Sequence, residues 1–247
     1  MKTLNFIIGL PRSGSSVIAN ILDQNPEVHC DVNSSLSSIV NAIHSSWDSL
    51  SPSPDKKVDV LKGLINGYYS KIDKSIVFDR NANWAFLIPL LESVLQRNVK
   101  MIVCVRNPAE ILASFERARK ENPLVVYDAD RKLGPNTSVA ARAYHYAAPE
   151  GVMGTSHRNI QDAITMGYLD RMLFIDYGRF CGSPKSQTKR MYEFFELPEF
   201  THDYQNIVGE NMGDRTTLVK NTVNCVEYLG LNLYEQYNRE IFWNAWV

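Results

Sequence analysis

Short continuous apolar runs alternate along this chain with stretches whose apolar residues recur at helical spacing. The runs at 4–8, 75–79, 100–105 and 172–176 read as strands covered on both faces. Between them, helices are predicted at 15–24, about 37–47, 56–70, 89–97, 108–120 and 185–196, with a helix-rich insertion from about 137 to 168 and a last helix over roughly 231–243. Val17, Ile18, Ile21 and Leu22 form one buried stripe, and Ile111, Leu112 and Phe115 another. Asn107 and Pro108 are suited to N-cap and first helical residue, so a helix starts directly after the strand that ends at Val105. A Ser/Pro-rich loop is expected around 49–55. Four strands alternating with helices predict an α/β fold with a central parallel sheet between two helical layers. No repeat and no long linker divides the chain, so residues 1–247 are expected to form a single three-layer domain.

Composition mostly excludes. A hydrophobic content of 45% over 247 residues suffices for a full core, and a formal net charge of −1 argues against broad binding to nucleic acid or an anionic membrane. The run from Leu4 to Leu10 is short, ends in Pro11-Arg12 and serves as the first strand, and nowhere do about 18 apolar residues follow one another. Cys30, Cys104, Cys181 and Cys225 are widely spaced, with Cys104 inside a predicted buried strand, which suits free thiols in a reducing compartment. A soluble, cytoplasmic protein is therefore expected, with the sequons at Asn33-Ser34-Ser35 and Asn136-Thr137-Ser138 as chance matches.

The chemistry starts where the first strand ends. In Gly9-Leu10-Pro11-Arg12-Ser13-Gly14-Ser15-Ser16, two glycines and a serine stand where a nucleoside-triphosphate loop, G-x-x-x-x-G-K-[ST], has them, but Ser15 replaces the lysine that grips the β- and γ-phosphates. Backbone amides and the N-terminus of the next helix still form an anion cradle. Ser13, Ser15 and Ser16 add hydroxyls, and Arg12 adds a planar fork. The expected anion is not magnesium-triphosphate. Arg106, at the end of the strand 100–105, and Ser114, two turns into the following helix, lie where open α/β sheets bind ligands.

With these residues in place, the chain resembles the sulfotransferases that use 3′-phosphoadenosine 5′-phosphosulfate (PAPS), in the manner of the tyrosylprotein branch and its bacterial relatives. The loop through Asp23-Gln24-Asn25-Pro26-Glu27-Val28-His29-Cys30 is similar to that family's 5′-phosphosulfate loop and helix. Arg106 and Ser114 match its 3′-phosphate pair, eight residues apart. Leu173-Phe174-Ile175-Asp176-Tyr177, followed by Ser183-Pro184 and the helix ending Phe194-Phe195-Glu196-Leu197-Pro198, resembles a segment whose tyrosine lies against the nucleotide. The resemblance spans roughly residues 4 to 200. It implies a P-loop-like fold, PAPS as co-substrate, and Pro11, Arg12, Ser13, Gly14, Ser15, Ser16, Arg106, Ser114 and Tyr177 as the residues that hold it. No metal is implied, and no carboxylate run or Cys/His cluster suggests one.

Arg80 occupies the place of the family's catalytic lysine, and Arg12 lies in the cradle that meets the transferred group. The family's bases are absent, since the tyrosylprotein glutamate position is Asn33 and the cytosolic histidine position is Ala82. Asp31 is the nearest substitute, ahead of Asp79 and His145, although an Asp there equally suits the following turn. The implied acceptor is a hydroxyl, or an amine, of a small molecule, carbohydrate or peptide, attacked in line and expected to be met by the Ser/Pro loop and the 121–160 region. There Arg142-Ala143-Tyr144-His145-Tyr146 either faces the acceptor or packs on the sheet. Gly209 to Arg215 faintly resembles the cytosolic branch's nucleotide loop without its Arg-Lys pair, and Thr222, Val223 and Glu227 echo part of a dimer motif, which leaves the oligomeric state open. Two rival functions remain: a catalytically silent protein that binds PAPS or its product 3′-phosphoadenosine 5′-phosphate (PAP), and a P-loop small-molecule kinase. The kinase is disfavoured by Ser15 and by the lack of an evident aspartate ending a strand beside the loop.

Overall fold

The computed structural model describes residues 2–50, 53–122, 133–134 and 137–209. Five parallel strands, β1 (Thr3–Gly9), β2 (Val28–Asp31), β3 (Ile76–Arg80), β4 (Met101–Val105) and β5 (Met172–Asp176), form one sheet in the order β2-β3-β1-β4-β5. The helices are α1 (Ser15–Leu22), α2 (Leu36–Leu50), α3 (Pro54–Tyr68), α4 (Ile88–Leu95), α5 (Pro108–Glu121), α6 (Val139–Ala147), α7 (Val152–Thr165), α8 (Tyr177–Gly182) and α9 (Pro184–Phe195), with a 3₁₀ turn at Ala82–Leu87. The predicted α/β class and parallel sheet are present.

Strand alternation divides the core. On one face Leu4, Phe6, Ile8, Val77, Met101 and Val103 pack against α2, α3, α4 and α7. On the other, Ile7, Phe78, Ile102, Cys104 and Ile175 pack against α1, α8 and α9. Because both faces are buried, β1 and β4 read as unbroken apolar runs.

The sheet has one strand more than predicted. β2 is a four-residue edge strand in which Val28 and Cys30 are buried while His29 and Asp31 are half-exposed, so its alternating Val-His-Cys-Asp pattern carries no apolar run. Helix α2 continues to Leu50, into the predicted Ser/Pro loop. The predicted helix at 231–243 and the segments at 210–215 and 222–227 lie outside the described residues. Among the described residues, no helix is long and apolar enough to cross a membrane, and Cys30, Cys104 and Cys181 are free thiols.

β1 is central, flanked by β3 on one side and β4 on the other. The chain leaves β1 into α1 on one face of the sheet. It leaves β4 into α5, which packs with α6 and Leu10 in a separate cluster. The two connections diverge, and the crevice between them is where a ligand can approach both strand ends.

Candidate active site

The loop between β1 and α1 is held in a conformation that its glycines permit. Gly9 has φ 140°, and a Cβ there would overlap the Cys104 backbone of β4. Gly14 has φ 89°, and a Cβ there would overlap the ring of Tyr177. Arg12 is a non-glycine residue at φ 61°, a left-handed conformation that costs roughly 1 kcal/mol or more. Ser13 is fully buried and its hydroxyl donates to the Leu10 carbonyl at 2.5 Å, so it ties the loop together, whereas Ser15 and Ser16 are half-exposed. No side chain caps α1, whose first turn follows Gly14 directly. Its leading amides are the donors that an anion can use.

The two anion sites expected separately are joined. Arg106, buried at the end of β4, donates from Nε to Glu110 Oε2 at 2.8 Å and from Nη1 to the Arg12 carbonyl at 3.1 Å. Its guanidinium carbon lies 4.7 Å from the centre of the Tyr177 ring, within cation–π range. Arg12 donates from Nε to Ser114 Oγ at 3.2 Å, and Ser114 is buried. Arg12, Ser114, Arg106, Tyr177 and Gly14 thus form one contiguous group. Sequence reasoning missed Glu110, though its position four residues after Arg106, at the head of a helix, is the spacing of an ion pair.

Arg80 reaches the same loop from β3. It donates from Nη1 to Ser15 Oγ at 3.4 Å and from Nε to the Val32 carbonyl at 2.8 Å, a carbonyl that Nη2 also contacts. Burial pulls its guanidinium below the ordinary arginine value, partly offset by the charges of nearby groups including Asp79 and Asp31.

Alternation then separates Arg80 from the two candidate carboxylates. Phe78 and Arg80 face α1, while Val77 and Asp79 face the opposite layer. Asp79 is fully buried there. Its Oδ2 accepts from Ser34 Oγ at 2.5 Å and Tyr69 Oη at 2.6 Å, and its Oδ1 accepts from Trp84 Nε1 at 2.7 Å. Burial pushes its carboxyl up to about 6 against the pull of these three hydrogen bonds. Asp31, paired in register with Asp79, lies on the same face. Its Oδ1 accepts from the Asn33 amide at 3.1 Å, and its Oδ2 is 3.5 Å from Tyr69 Oη. The single Tyr69 proton serves the nearer Asp79. The structure does not bring Asp31 or Asp79 together with Arg80 at the loop.

Ser34 Oγ also accepts from the Leu36 amide at 3.1 Å, and Asn81 Nδ2 donates to the Ser34 carbonyl at 3.2 Å. The turn that carries the Val32 carbonyl is thus pinned to the end of β3. In α6, Tyr146 is buried against Phe115, Tyr144 is exposed, and His145 is half-exposed with its ring 6.1 Å from that of Tyr146. The Tyr146 half of that motif packs rather than facing outward.

The expectation that no aspartate ends a strand beside the loop needs correction. β3 is the neighbour of β1, and Asp79 sits near its end. Sequence order alone does not reveal that adjacency. Both Asp79 oxygens are engaged on the far face, so the carboxylate is not presented to the loop. Among the described residues, no group of three His, Cys, Asp or Glu is placed to hold a metal ion.

A cavity of about 290 Å³ opens beside the site, walled by Leu10 at the loop, Val105 and Arg106 at the end of β4, Pro108 at the start of α5, the α6–α7 connection, and Met153, Gly154, His157 and Arg158 of α7. His157 and Arg158 had no signal in the sequence, because they follow no motif spacing.

The matching family model is the sulfotransferase domain, over residues 3–225, and the chain belongs to that family. Among solved structures, the sulfotransferase domain of the curacin biosynthetic pathway is similar with a TM-score of 0.62 and 16% identity, covering 94% of this chain and 92% of its own. The sulfotransferase domain of the Synechococcus PCC 7002 olefin synthase gives 0.53 and 18%, covering 96% of each chain. Mouse sulfotransferase SULT7A1, solved in complex with PAP, gives 0.58 and 15%, covering 99% of this chain and 83% of its own. No protein of curated function matches by sequence. At these identities the likeness establishes the fold, and the family model establishes a transferase.

Proposed function

We propose that this protein transfers the sulfuryl group of PAPS to an acceptor hydroxyl, as one domain and without a metal. The observation that carries the reading is the continuous line of groups from the α1 N-terminus through Arg12 to Ser114, Arg106 and Tyr177. A nucleotide with one anionic group at each end needs such a line, and a triphosphate does not. In this reading the amides of Ser15 and Ser16 with their hydroxyls hold the 5′-phosphosulfate, and Pro11 and Gly14 shape the loop so that Tyr177 can lie against it. Arg106 and Ser114 hold the 3′-phosphate, which competes with Glu110 for the Arg106 fork. PAPS supplies the activated sulfuryl group. Arg80 and Arg12 supply positive charge where the bridging oxygen becomes a leaving group.

One observation favours the second reading, a silent PAP-binding protein: among the described residues, the two candidate carboxylates near Arg80, Asp31 and Asp79, are turned to the other face of the sheet. Incubation with sulfur-labelled PAPS, EDTA and a panel of carbohydrate, phenolic and peptide hydroxyls tests the choice. Metal-independent appearance of labelled product with release of PAP is expected. Binding of PAP without turnover on any acceptor would favour the silent protein, and magnesium-dependent use of ATP would favour the kinase.

A further inference from the structure

Arg80 is aimed by neutral partners. Among the described residues, its guanidinium donates to the Val32 carbonyl and the Ser15 hydroxyl, while the carboxylates of Asp31 and Asp79 act on it through space from the other face of the sheet. A carboxylate in the fork would fix Arg80 as firmly but would also take up its charge. An oxygen that gains charge in the transition state would then have to compete for it. A carbonyl fixes the direction of the side chain and leaves that charge to be used.

A carbonyl is only as well placed as the turn that carries it. Val32 follows β2 directly, and the register of β2 with β3 ends at Asp31 and Asp79. Beyond that pair, side chains hold the turn. Ser34 Oγ donates to Asp79 Oδ2 at 2.5 Å and accepts from the Leu36 amide at 3.1 Å, and Asn81 Nδ2 donates to the Ser34 carbonyl at 3.2 Å. Asp79 is fixed in turn by Tyr69 and Trp84, and all three are buried. Because Asp79 and Arg80 are consecutive, these contacts close a ring. It runs from the Arg80 guanidinium to the Val32 carbonyl, along the turn to Ser34, across to Asp79, and back through one peptide bond to Arg80. The guanidinium is thereby fixed relative to its own backbone at the end of β3.

The ring also accounts for a costly residue. Burial pushes the Asp79 carboxyl up to about 6, so its charge destabilises the fold near neutral pH. A core built for packing alone would gain from an apolar group of similar size. We propose that Asp79 and Ser34 are positioning residues: they hold the Val32 carbonyl where it aims the charged Arg80 guanidinium at the anion loop, and neither touches a reacting atom. The proposal rests on the sulfotransferase reading above. The alternative is that Val32, whose side chain is buried in the layer of α1, holds its own carbonyl by packing.

Ser34→Ala and Asp79→Asn separate these readings. The first removes the hydroxyl that ties the turn to Asp79. The second keeps a partner for that hydroxyl and removes the carboxylate that a base would need. In protein with isotope-labelled arginine, the Nε–H magnetic resonance signal of Arg80, identified by its loss in Arg80→Ala, reports the bond to Val32 whatever the activity. Its exchange with water is expected to quicken about tenfold or more in Ser34→Ala and to stay within about twofold of wild type in Asp79→Asn. With labelled PAPS and the best acceptor of the panel, Ser34→Ala is expected to lower kcat roughly 10- to 10²-fold at unchanged PAP affinity. It is expected to cost nothing further where Arg80 is already alanine, because its effect passes through Arg80. Asp79→Asn is expected to keep kcat within about twofold. Unchanged exchange in Ser34→Ala, an equal fold loss of kcat with and without Arg80, or a fall of about 10²-fold in Asp79→Asn, as for a base, would each overturn the proposal. The expected exchange rates in a protein that turns PAPS over on no acceptor would overturn the sulfotransferase reading, and the proposal with it.

Discussion

Asp79 offers a sharp test of how this interior handles charge. It is fully buried, and its hydrogen-bond donors Ser34, Tyr69 and Trp84 are all neutral. Its carboxyl is pushed from 3.8 up to about 6. Below pH 4 Asp79 is protonated whether the chain is folded or unfolded, and it costs nothing. Between pH 4 and 6 the native protein keeps the proton while the unfolded chain loses it, so stability falls as pH rises. Above 6 both forms are ionised and the full penalty is present, roughly 3 kcal/mol at about 1.4 kcal/mol per pH unit of displacement. Asp79→Asn removes the charge and preserves the pairing. Its amide oxygen can accept from Trp84, and its NH₂ can donate to the Ser34 or Tyr69 hydroxyl, either of which can turn to accept. Urea unfolding of both proteins between pH 3.5 and 8 measures the difference, and titrations common to both cancel. The variant is expected to gain on wild type by about 3 kcal/mol across this range, with most of the gain between pH 4 and 6.5. Parallel stability curves, or a variant that loses ground as pH rises, would refute the reasoning and show that the three donors outweigh the burial.

Arg80→Ala is expected to leave PAP affinity nearly unchanged and cut turnover by on the order of 10²-fold, as for loss of a transition-state donor, whereas Arg12→Ala also raises the PAP dissociation constant. Equal effects of the two on PAP binding would remove the distinct role of Arg80. Gly14→Ala, whose Cβ would overlap the Tyr177 ring at φ 89°, is expected to abolish tight PAP binding, which calorimetry on the folded variant checks. Asp31→Ala is expected to lower stability by about 1 kcal/mol through loss of the Asn33 amide bond and to leave the rate per folded molecule intact. A large fall in kcat at unchanged melting temperature would return Asp31 to the role of base.

Much of the site was legible because its parts are local. The loop from Gly9 to Ser16 and the Asn107-Pro108 helix start each follow from a few consecutive residues whose backbone requirements are strict, whereas the pairing of Arg106 with Ser114 came from the family resemblance. What was hidden depends on contacts distant in sequence. β2 is short and half polar, so no periodicity marked it, and without it the register that turns Asp31 towards Tyr69 and away from Arg80 could not be seen. The reach of Arg12 to Ser114 spans 102 residues, and the pin from Ser34 to Asp79 spans 45. The neighbouring position of β3 and β1, which brings Asp79 beside the loop strand, is a fact of topology that no local pattern encodes. The cavity is the furthest from sequence reasoning, since its walls come from the loop, β4, α5, the end of α6 and α7.

The central claim is that Arg106 and Ser114 are built for a second phosphate, separate from the one in the loop. Calorimetry of PAP and of AMP against the same protein in EDTA tests it directly, because the two ligands differ only at the 3′ position. PAP is expected to bind at least 10²-fold more tightly than AMP, consistent with charge-assisted bonds worth about 1.5–3 kcal/mol each, and Arg106→Lys, which cannot keep a two-pronged contact, is expected to lose most of that preference. Equal affinities for PAP and AMP would contradict the account.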